Sequence, residues 1–405
     1  MPTGEWHSTT ALTLHPSSHC SSSQPSSQQS PSTMTIGALP ETMKAVVLEA
    51  PHKVAVKDVP TPKLEKPTDV IVQTTVAGLC GSDLHIYRGH LPIPLPITIG
   101  HEVVGRIVQV GDEVKKWKVG DNVIVPFTAT CGDCFYCKKG LMARCTTGIT
   151  FGTGRGLEGC QAEYVRVPTA DTFVFPQPDD IPASTLLLMA DILPTGYFVA
   201  SGGKRLLMES LGQPMSGDIV KDVEAKKEGV CVVIGCGPVG LCAISSAMRM
   251  FEKVFATDLA PHRLEAAKRH GAIALQDDEL KAAIMEATDG RGADVALEVV
   301  GHASAMTKAI ELARPFGIVS SCGVHSEPIT SNGYMLFHKS LRFQWGQCSV
   351  PTYFPGALGV LRDNKEIFAQ FIEQKIDFAK AEEYYALFEK NKVGKTVFVL
   401  GDEGV

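Results

Sequence analysis

Lysine and arginine are missing from the first 43 residues, although the whole chain carries 38 of them. Without a basic start and an apolar stretch this segment does not read as a secretory signal, and without arginine it does not read as a mitochondrial presequence. It is crowded with Ser, Gln, Thr and Pro and has too little apolar surface to fold, so residues 1–42 are expected to form a disordered tail, with Met34 and Met43 as alternative starts. Clustered positive charge is also lacking. A net charge of -6 and a pI near 6.1 give no surface to neutralise phosphates, which argues against nucleic acid or an anionic membrane as partner. No unbroken apolar run reaches membrane-spanning length. The nearest, residues 230–248, is interrupted by Gly235, Gly237, Pro238 and Gly240 and reads as strand, turn and helix. No internal repeat is visible. A cytoplasmic protein with a small-molecule partner is the expectation.

What is present is an ordinary globular composition, 44% hydrophobic and 20% charged over 405 residues, enough for two to three domains. From residue 43 to about 174, short β-rich runs at 45–48, 70–76, 103–110 and 122–125 are separated by Gly and Pro turns. From about 194 to 346 strands and helices alternate, with strands at 230–234, 254–257, 294–299 and 318–322, which implies an α/β doubly wound parallel sheet. The end of the chain offers a helix near 366–373 and a strand at 396–400 that can rejoin the first domain. Residues 201–229 are weakly periodic and suggest no fold.

Within the alternating half, Gly235, Gly237 and Gly240 form a G-x-G-x-x-G between strand and helix, and Asp258 closes the next strand. The glycines permit a tight turn and close approach of a pyrophosphate to a helix N-terminus; the carboxylate, about 20 residues on, suits the ribose hydroxyls of NAD. Arg263 tempers the preference over NADP, since a guanidinium nearby can take a 2′-phosphate. The alternative is a ligand-free turn, with Asp258 as a helix cap.

Cys131, Cys134, Cys137 and Cys145 stand in a C-x2-C-x2-C-x7-C run, the spacing of a closed tetrahedral zinc site. Two disulfides would need an oxidising compartment. The long last gap and the absence of Pro after Cys145 separate the run from the bacterial iron–sulfur pattern. Cys160, Cys231, Cys242 and Cys322 lie among apolar neighbours and read as small buried hydrophobes. A closed site holds structure, so any reaction centre must be built elsewhere. Cys80-Gly-Ser-Asp-Leu-His85 and Gly100-His101-Glu102 supply soft and borderline zinc ligands in Cys80 and His101. Either residue alone would more often be core; together, upstream of a cysteine cluster and a nucleotide fold, they point to a metal.

In this order the motifs resemble those of the zinc-dependent medium-chain alcohol dehydrogenases, and the match runs from about residue 43 to 400. The resemblance implies a GroES-like β-rich catalytic domain (43–193 with 347–405), a Rossmann coenzyme domain (194–346), two Zn2+ per chain, and a homodimer or homotetramer. It makes Cys80 and His101 ligands of a catalytic zinc, with Asp191 where many members have Cys. That exchange is similar to the glutathione-independent formaldehyde dehydrogenase-like branch, though Asp191 could instead cap a helix. By the same resemblance Glu102 stands behind the zinc, Asp83 orients His101, and Ser82 and His85 relay, through the coenzyme ribose, the hydroxyl proton that a zinc-bound alcohol gives up as it becomes the alkoxide. Thr195, Val324 and Lys395 fall at positions near nicotinamide and pyrophosphate. The implied reaction is hydride transfer between an alcohol, or its aldehyde or ketone, and NAD. Tyr87, Phe127 and Trp345 are candidates for an apolar substrate pocket. A polyol or secondary-alcohol dehydrogenase stays open, as does a non-catalytic NAD-binding zinc protein; a zinc-free quinone or enoyl reductase fits less well, because it would lack these ligands.

Overall fold

The computed structural model describes residues 34–35, 37–330 and 332–402, which fall in one compact unit. Most of the expected tail lies outside the described residues. Its end does not remain a tail: Met34–Thr35 pairs with Val103–Val110, placing Met34 opposite Val110. The reason is a free edge. Asn122–Val125 is short and covers only residues 103–106 of that strand, leaving the rest open to a partner.

The β-rich half is built on one sheet. Its strands run in the order Phe175–Pro176, Asn122–Val125, Val103–Val110, Val70–Leu79, Thr396–Val399 and Gln374–Ile376, with Tyr164–Val167 also pairing with Val70–Leu79. The late strand therefore returns to the first domain, Thr396 facing Leu79 in antiparallel register. A smaller sheet of Lys53–Pro60, Thr42–Ala50 and Ile97–Thr98 stands beside it. Val, Ile and Thr fill these strands because branched side chains pack well on a pleated surface.

The second half is a six-stranded parallel sheet ordered Ile273–Ala274, Lys253–Thr257, Val230–Ile234, Ala293–Glu298, Ala313–Ser321, Arg342–Trp345. Val230–Ile234 is buried at every position, as a central strand covered by helices on both faces requires. Helices Ile192–Ser210 and Pro238–Met250 cross closely at Gly196, where a Cβ would stand 2.6 Å from the Ala243 nitrogen.

The segment without a predicted fold is largely helical: Ile192–Ser210 runs through its start, and Ile219–Glu224 follows, capped by Asp218, which accepts from the Lys221 amide at 3.1 Å. Gly202 and Gly203 hide this helix from propensity, yet tertiary packing wants them, since a Cβ on Gly203 would meet Val295 at 2.6 Å. Near the C-terminus the expected helix at 366–373 is the shorter Lys365–Ala369, and Val350–Asp363 and Ala381–Glu389 are further helices. Among the described residues no single helix is long and apolar enough to cross a membrane.

Candidate active site and coenzyme cleft

Strand Val70–Leu79 delivers Cys80 to the N-cap of helix Gly81–Tyr87. Asp83, one turn in, accepts from the Cys80 amide at 2.9 Å with Oδ2 and places Oδ1 2.9 Å from His101 Nδ1. One carboxylate thus fixes the backbone of one candidate ligand and the ring of another. Gln161, fully buried, donates to the Gly78 carbonyl at 2.8 Å and lies 3.4 Å from Asp83 Oδ2.

His101 follows Gly100, whose φ of +93° and tight fit against Gln161 leave no room for a side chain. Asp191 precedes Ile192–Ser210 but its side chain does not cap that helix; it accepts from Thr195 Oγ1 at 3.1 Å instead. The other oxygen faces Cys80 Sγ at 3.6 Å and His101 Nε2 at 3.4 Å. Ligand atoms of Cys80, His101, Glu102 and Asp191 all lie within 4.8 Å of one another.

The electrostatics of this cluster ask for a cation. Burial pushes the Cys80 thiol up, and the carboxylates of Glu102 and Asp191 push it further. Burial opposes charge on His101, but Asp83 and Asp191 outweigh it and raise the imidazole well above its usual range. His101 Nε2 and Glu102 Oε1 are buried with no hydrogen-bond partner, a costly state for polar atoms that a metal would relieve. A borderline nitrogen, a thiol and a carboxylate are the donor set Zn2+ accepts, so the residues fit the ion.

Lys395 stands directly behind the ligand cluster. Its ammonium is buried against the Glu102 carboxylate and donates to the Leu79 carbonyl at 3.3 Å, because a buried cation needs an anion beside it. The Tyr87 ring packs between His52 and Tyr385 in the core. Phe127 does border the cluster, edge-on to His101 at 6.4 Å. Trp345 stands instead on His325, with ring centres 4.8 Å apart. Ser82 is exposed on the first turn, and His85, half-buried, has its pKa lowered by burial and then by His90 and Arg88.

The four cysteines gather separately on a lobe containing helix Phe135–Lys138. Cys131 Sγ lies 3.5 Å from Cys145 Sγ and 3.9 Å from Cys137 Sγ. A tetrahedron with metal–sulfur bonds of roughly 2.3 Å has edges of about 3.8 Å, so the thiols are spaced for one ion and not for disulfides. Backbone N–H groups of Thr146 and Cys137 hold the Cys134 thiol down to about 6, while burial pushes Cys137 up to about 12. Cys160, Cys231 and Cys242 are fully buried as expected; Cys322 is half-buried at the end of the parallel sheet.

In the coenzyme cleft Gly235 has a φ of +99°, and a Cβ on Gly240 would stand 2.0 Å from the Gly235 carbonyl oxygen. Gly237 opens helix Pro238–Met250 with nothing within 4 Å of its would-be Cβ, leaving room for a phosphate at the helix N-terminus. Asp258 accepts from the Cys236 amide at 2.8 Å, and Arg263 lies 3.7 Å from the same oxygen. Leu259 is 92% exposed beside Asp258, Val300 is 52% exposed against Gly235, and Val324 is 66% exposed on a neighbouring loop. All three stand on loops after the carboxyl ends of parallel strands, where an open α/β sheet lines its ligand crevice. Leu259 and Val300 were not foreseen, because exposure cannot be read from a strand-end Leu or Val.

Known proteins share both halves. The alcohol dehydrogenase GroES-like domain matches residues 66–179, and the zinc-binding dehydrogenase domain matches 238–361. Zinc-type alcohol dehydrogenase B of Aspergillus flavus is 42% identical over 365 residues, which cover 89% of this chain and 82% of that protein. The chain belongs to the zinc-type medium-chain alcohol dehydrogenase family. It is therefore a zinc-dependent oxidoreductase acting on CH–OH groups, with a nicotinamide cofactor and a small-molecule alcohol as substrate. The alcohol dehydrogenase TADH from Thermus sp. ATN1 superposes with a TM-score of 0.79 at 33% identity, covering 88% of this chain and 99% of that one. The erythritol/L-threitol dehydrogenase of Mycolicibacterium smegmatis is 30% identical over 311 residues, 72% of this chain and 79% of that protein.

Proposed function

We propose that this dehydrogenase oxidises a primary alcohol, or reduces the aldehyde, with NAD at a zinc held by Cys80, His101 and Asp191, while a second zinc sits in the four-cysteine lobe. The convergence of three ligand types around His101 Nε2, a buried nitrogen that makes no hydrogen bond, carries this reading. When bound, zinc supplies a Lewis acid for the alcohol oxygen and the nicotinamide a hydride acceptor. Asp83 holds the ring of His101 with Nε2 facing the cluster. Glu102, tied to Lys395, backs the ligands with negative charge. Ser82 takes the hydroxyl proton; His85, one turn on and kept neutral by burial, receives it and exchanges it with solvent.

Asp258 favours NAD over NADP, since its carboxylate repels a 2′-phosphate and engages Arg263. Thr195 and Val324 border the nicotinamide end, and Leu259 and Val300 the adenine end. Residues 43–193 with 347–405 form the catalytic domain and 194–346 the coenzyme domain, a division supported by the return of Thr396–Val399 to the first sheet. Asp in the third ligand position supports a place in the formaldehyde dehydrogenase-like branch. The likeness to a tetritol dehydrogenase favours a polyol as the second reading. A homodimer or homotetramer is supported by the open edge of Arg342–Trp345, where Phe343 and Trp345 are 44% and 48% exposed. Cytoplasmic placement suits thiols kept reduced for metal.

Metal analysis and a panel of alcohols and aldehydes with NAD and NADP test the proposal. Two zinc ions per chain, falling to one in Cys80→Ala, and turnover of a primary alcohol are expected. A single zinc that Cys80→Ala leaves in place would instead indicate a non-catalytic nucleotide-binding protein. Asp258→Gly should weaken NAD more than NADP, and equal loss of both would count against its ribose role.

A further inference from the structure

Glu298 ends the strand Ala293–Glu298 with its side chain fully buried, and nothing in the chemistry above uses it. Its Oε1 accepts from the amides of Val300 and Gly301 at 2.8 and 2.7 Å. Its Oε2 accepts from Ser321 Oγ at 2.7 Å and lies 3.1 Å from His325 Nε2. The carboxylate therefore joins the loop after its own strand to the loop after the next strand, Ala313–Ser321.

The two loops also meet backbone to backbone. A Cβ on Gly301 would stand 2.6 Å from the Val324 carbonyl oxygen, and one on Gly323 would stand 2.3 Å from the Gly301 nitrogen and 2.6 Å from Glu298 Oε2. Trp345 closes the back of the junction, its ring on His325 and its Nε1 donating to the Gly323 carbonyl at 3.4 Å. In an open parallel sheet, loops at the carboxyl ends of the strands line the ligand crevice. The first loop carries Val300, next to Gly235 of the glycine-rich turn. The second leaves Ser321 through Cys322, which packs against the same core cluster as Cys80, so this loop starts on the side of the metal cluster.

Given the coenzyme site proposed above, we infer that Glu298 is a positioning residue for the coenzyme: through Ser321 and His325 it sets the loop that holds the nicotinamide half, and through two amides it sets the loop under the adenine half. The two arms of this clasp are separable. Glutamine at 298 keeps an oxygen for the Val300 and Gly301 amides but turns an N–H toward Ser321 and His325. The adenine side keeps its acceptor, whereas on the nicotinamide side Ser321 and His325 lose an ionic acceptor and meet the new N–H only by reversing their own hydrogen-bond roles.

The test is binding of ADP-ribose and of NADH to the zinc-loaded full chain, with the melting temperature recorded for each variant. For Glu298→Gln, NADH binding should weaken by about tenfold or more, the equivalent of one charge-assisted hydrogen bond, while ADP-ribose stays within about threefold. His325→Leu should reproduce that split, and His325→Gln, which retains an N–H donor at similar reach, should restore NADH binding. A purely structural role would lower both affinities together with the melting temperature, and that outcome overturns the inference. So does NADH binding unchanged in Glu298→Gln and His325→Leu. Wild-type protein that binds neither ligand overturns the coenzyme site itself, and the clasp with it.

Discussion

Asp83→Asn changes no shape and removes one charge, yet three N–H groups converge on this side chain. His101 Nδ1 and the Cys80 amide each lie 2.9 Å from an oxygen, and Gln161 Nε2 lies 3.4 Å from the second, with Asp83 itself 1% exposed. An amide offers one oxygen and one NH2 group to these donors. If the oxygen stays with Cys80, His101 must turn its proton to Nε2, the atom a metal requires; if it stays with His101, the Cys80 amide faces another donor. Either way one charge-assisted hydrogen bond is lost in a buried place, about 1.5–3 kcal/mol. A mispositioned imidazole should cost roughly 10–100-fold in metal affinity. Zinc affinity by competition with a chromophoric chelator, paired with unfolding of the metal-free protein, reads both quantities. Asp83→Ala should cost more stability still, since it leaves the Cys80 amide with nothing. Zinc affinity within about twofold of wild type in Asp83→Asn would refute the role of Asp83 in orienting the ligand.

The buried pair behind the site predicts a second effect. Lys395→Met leaves the Glu102 carboxylate, fully buried, without its cation, and should lower stability by about 3–5 kcal/mol, whereas Glu102→Gln combined with Lys395→Met should recover most of it. Chemical denaturation showing a loss below about 1 kcal/mol, or no recovery, contradicts this. His270 predicts a pH dependence. Burial, and then Arg269, holds its pKa down to about 4, below the unfolded value near 6.5, so protonation favours the unfolded chain. The stability tied to neutral His270 is complete above about pH 6.5 and is lost as pH falls toward about 4, up to about 3 kcal/mol, and urea unfolding of His270→Gln should show a flatter profile. An unchanged slope in the variant would refute it. In metal-free protein at neutral pH, Cys134, held near 6, should alkylate before Cys137, held near 12; equal labelling by mass spectrometry would count against the backbone N–H groups as the cause.

The sequence is most legible where one residue type has few other uses. Glycines at 235, 237 and 240, followed by Asp258, read as a nucleotide turn because the backbone geometry they permit is unavailable to other residues. The helix Ile192–Ser210 was hidden because Gly202 and Gly203, which lower helix propensity, are demanded by a neighbouring strand and not by the helix. Lys395 hid its carboxylate partner for a related reason. Its partner Glu102 is 293 residues away, and no local pattern distinguishes a phosphate-seeking lysine from one buried on a carboxylate.

Spacing and alternation therefore determined the α/β pattern, the four-cysteine run and the glycine-rich turn, because each depends on residues close together along the chain, and the order of these motifs carried the resemblance to the family. Only the tertiary structure decided that Asp191 faces Cys80 and His101 instead of capping its helix, that Asp83 serves two ligands at once, and that Glu298 joins two loops. Those contacts cross between strands and helices far apart in sequence. Their partners are chosen by which groups burial leaves without water, a quantity that exists only once the chain has folded.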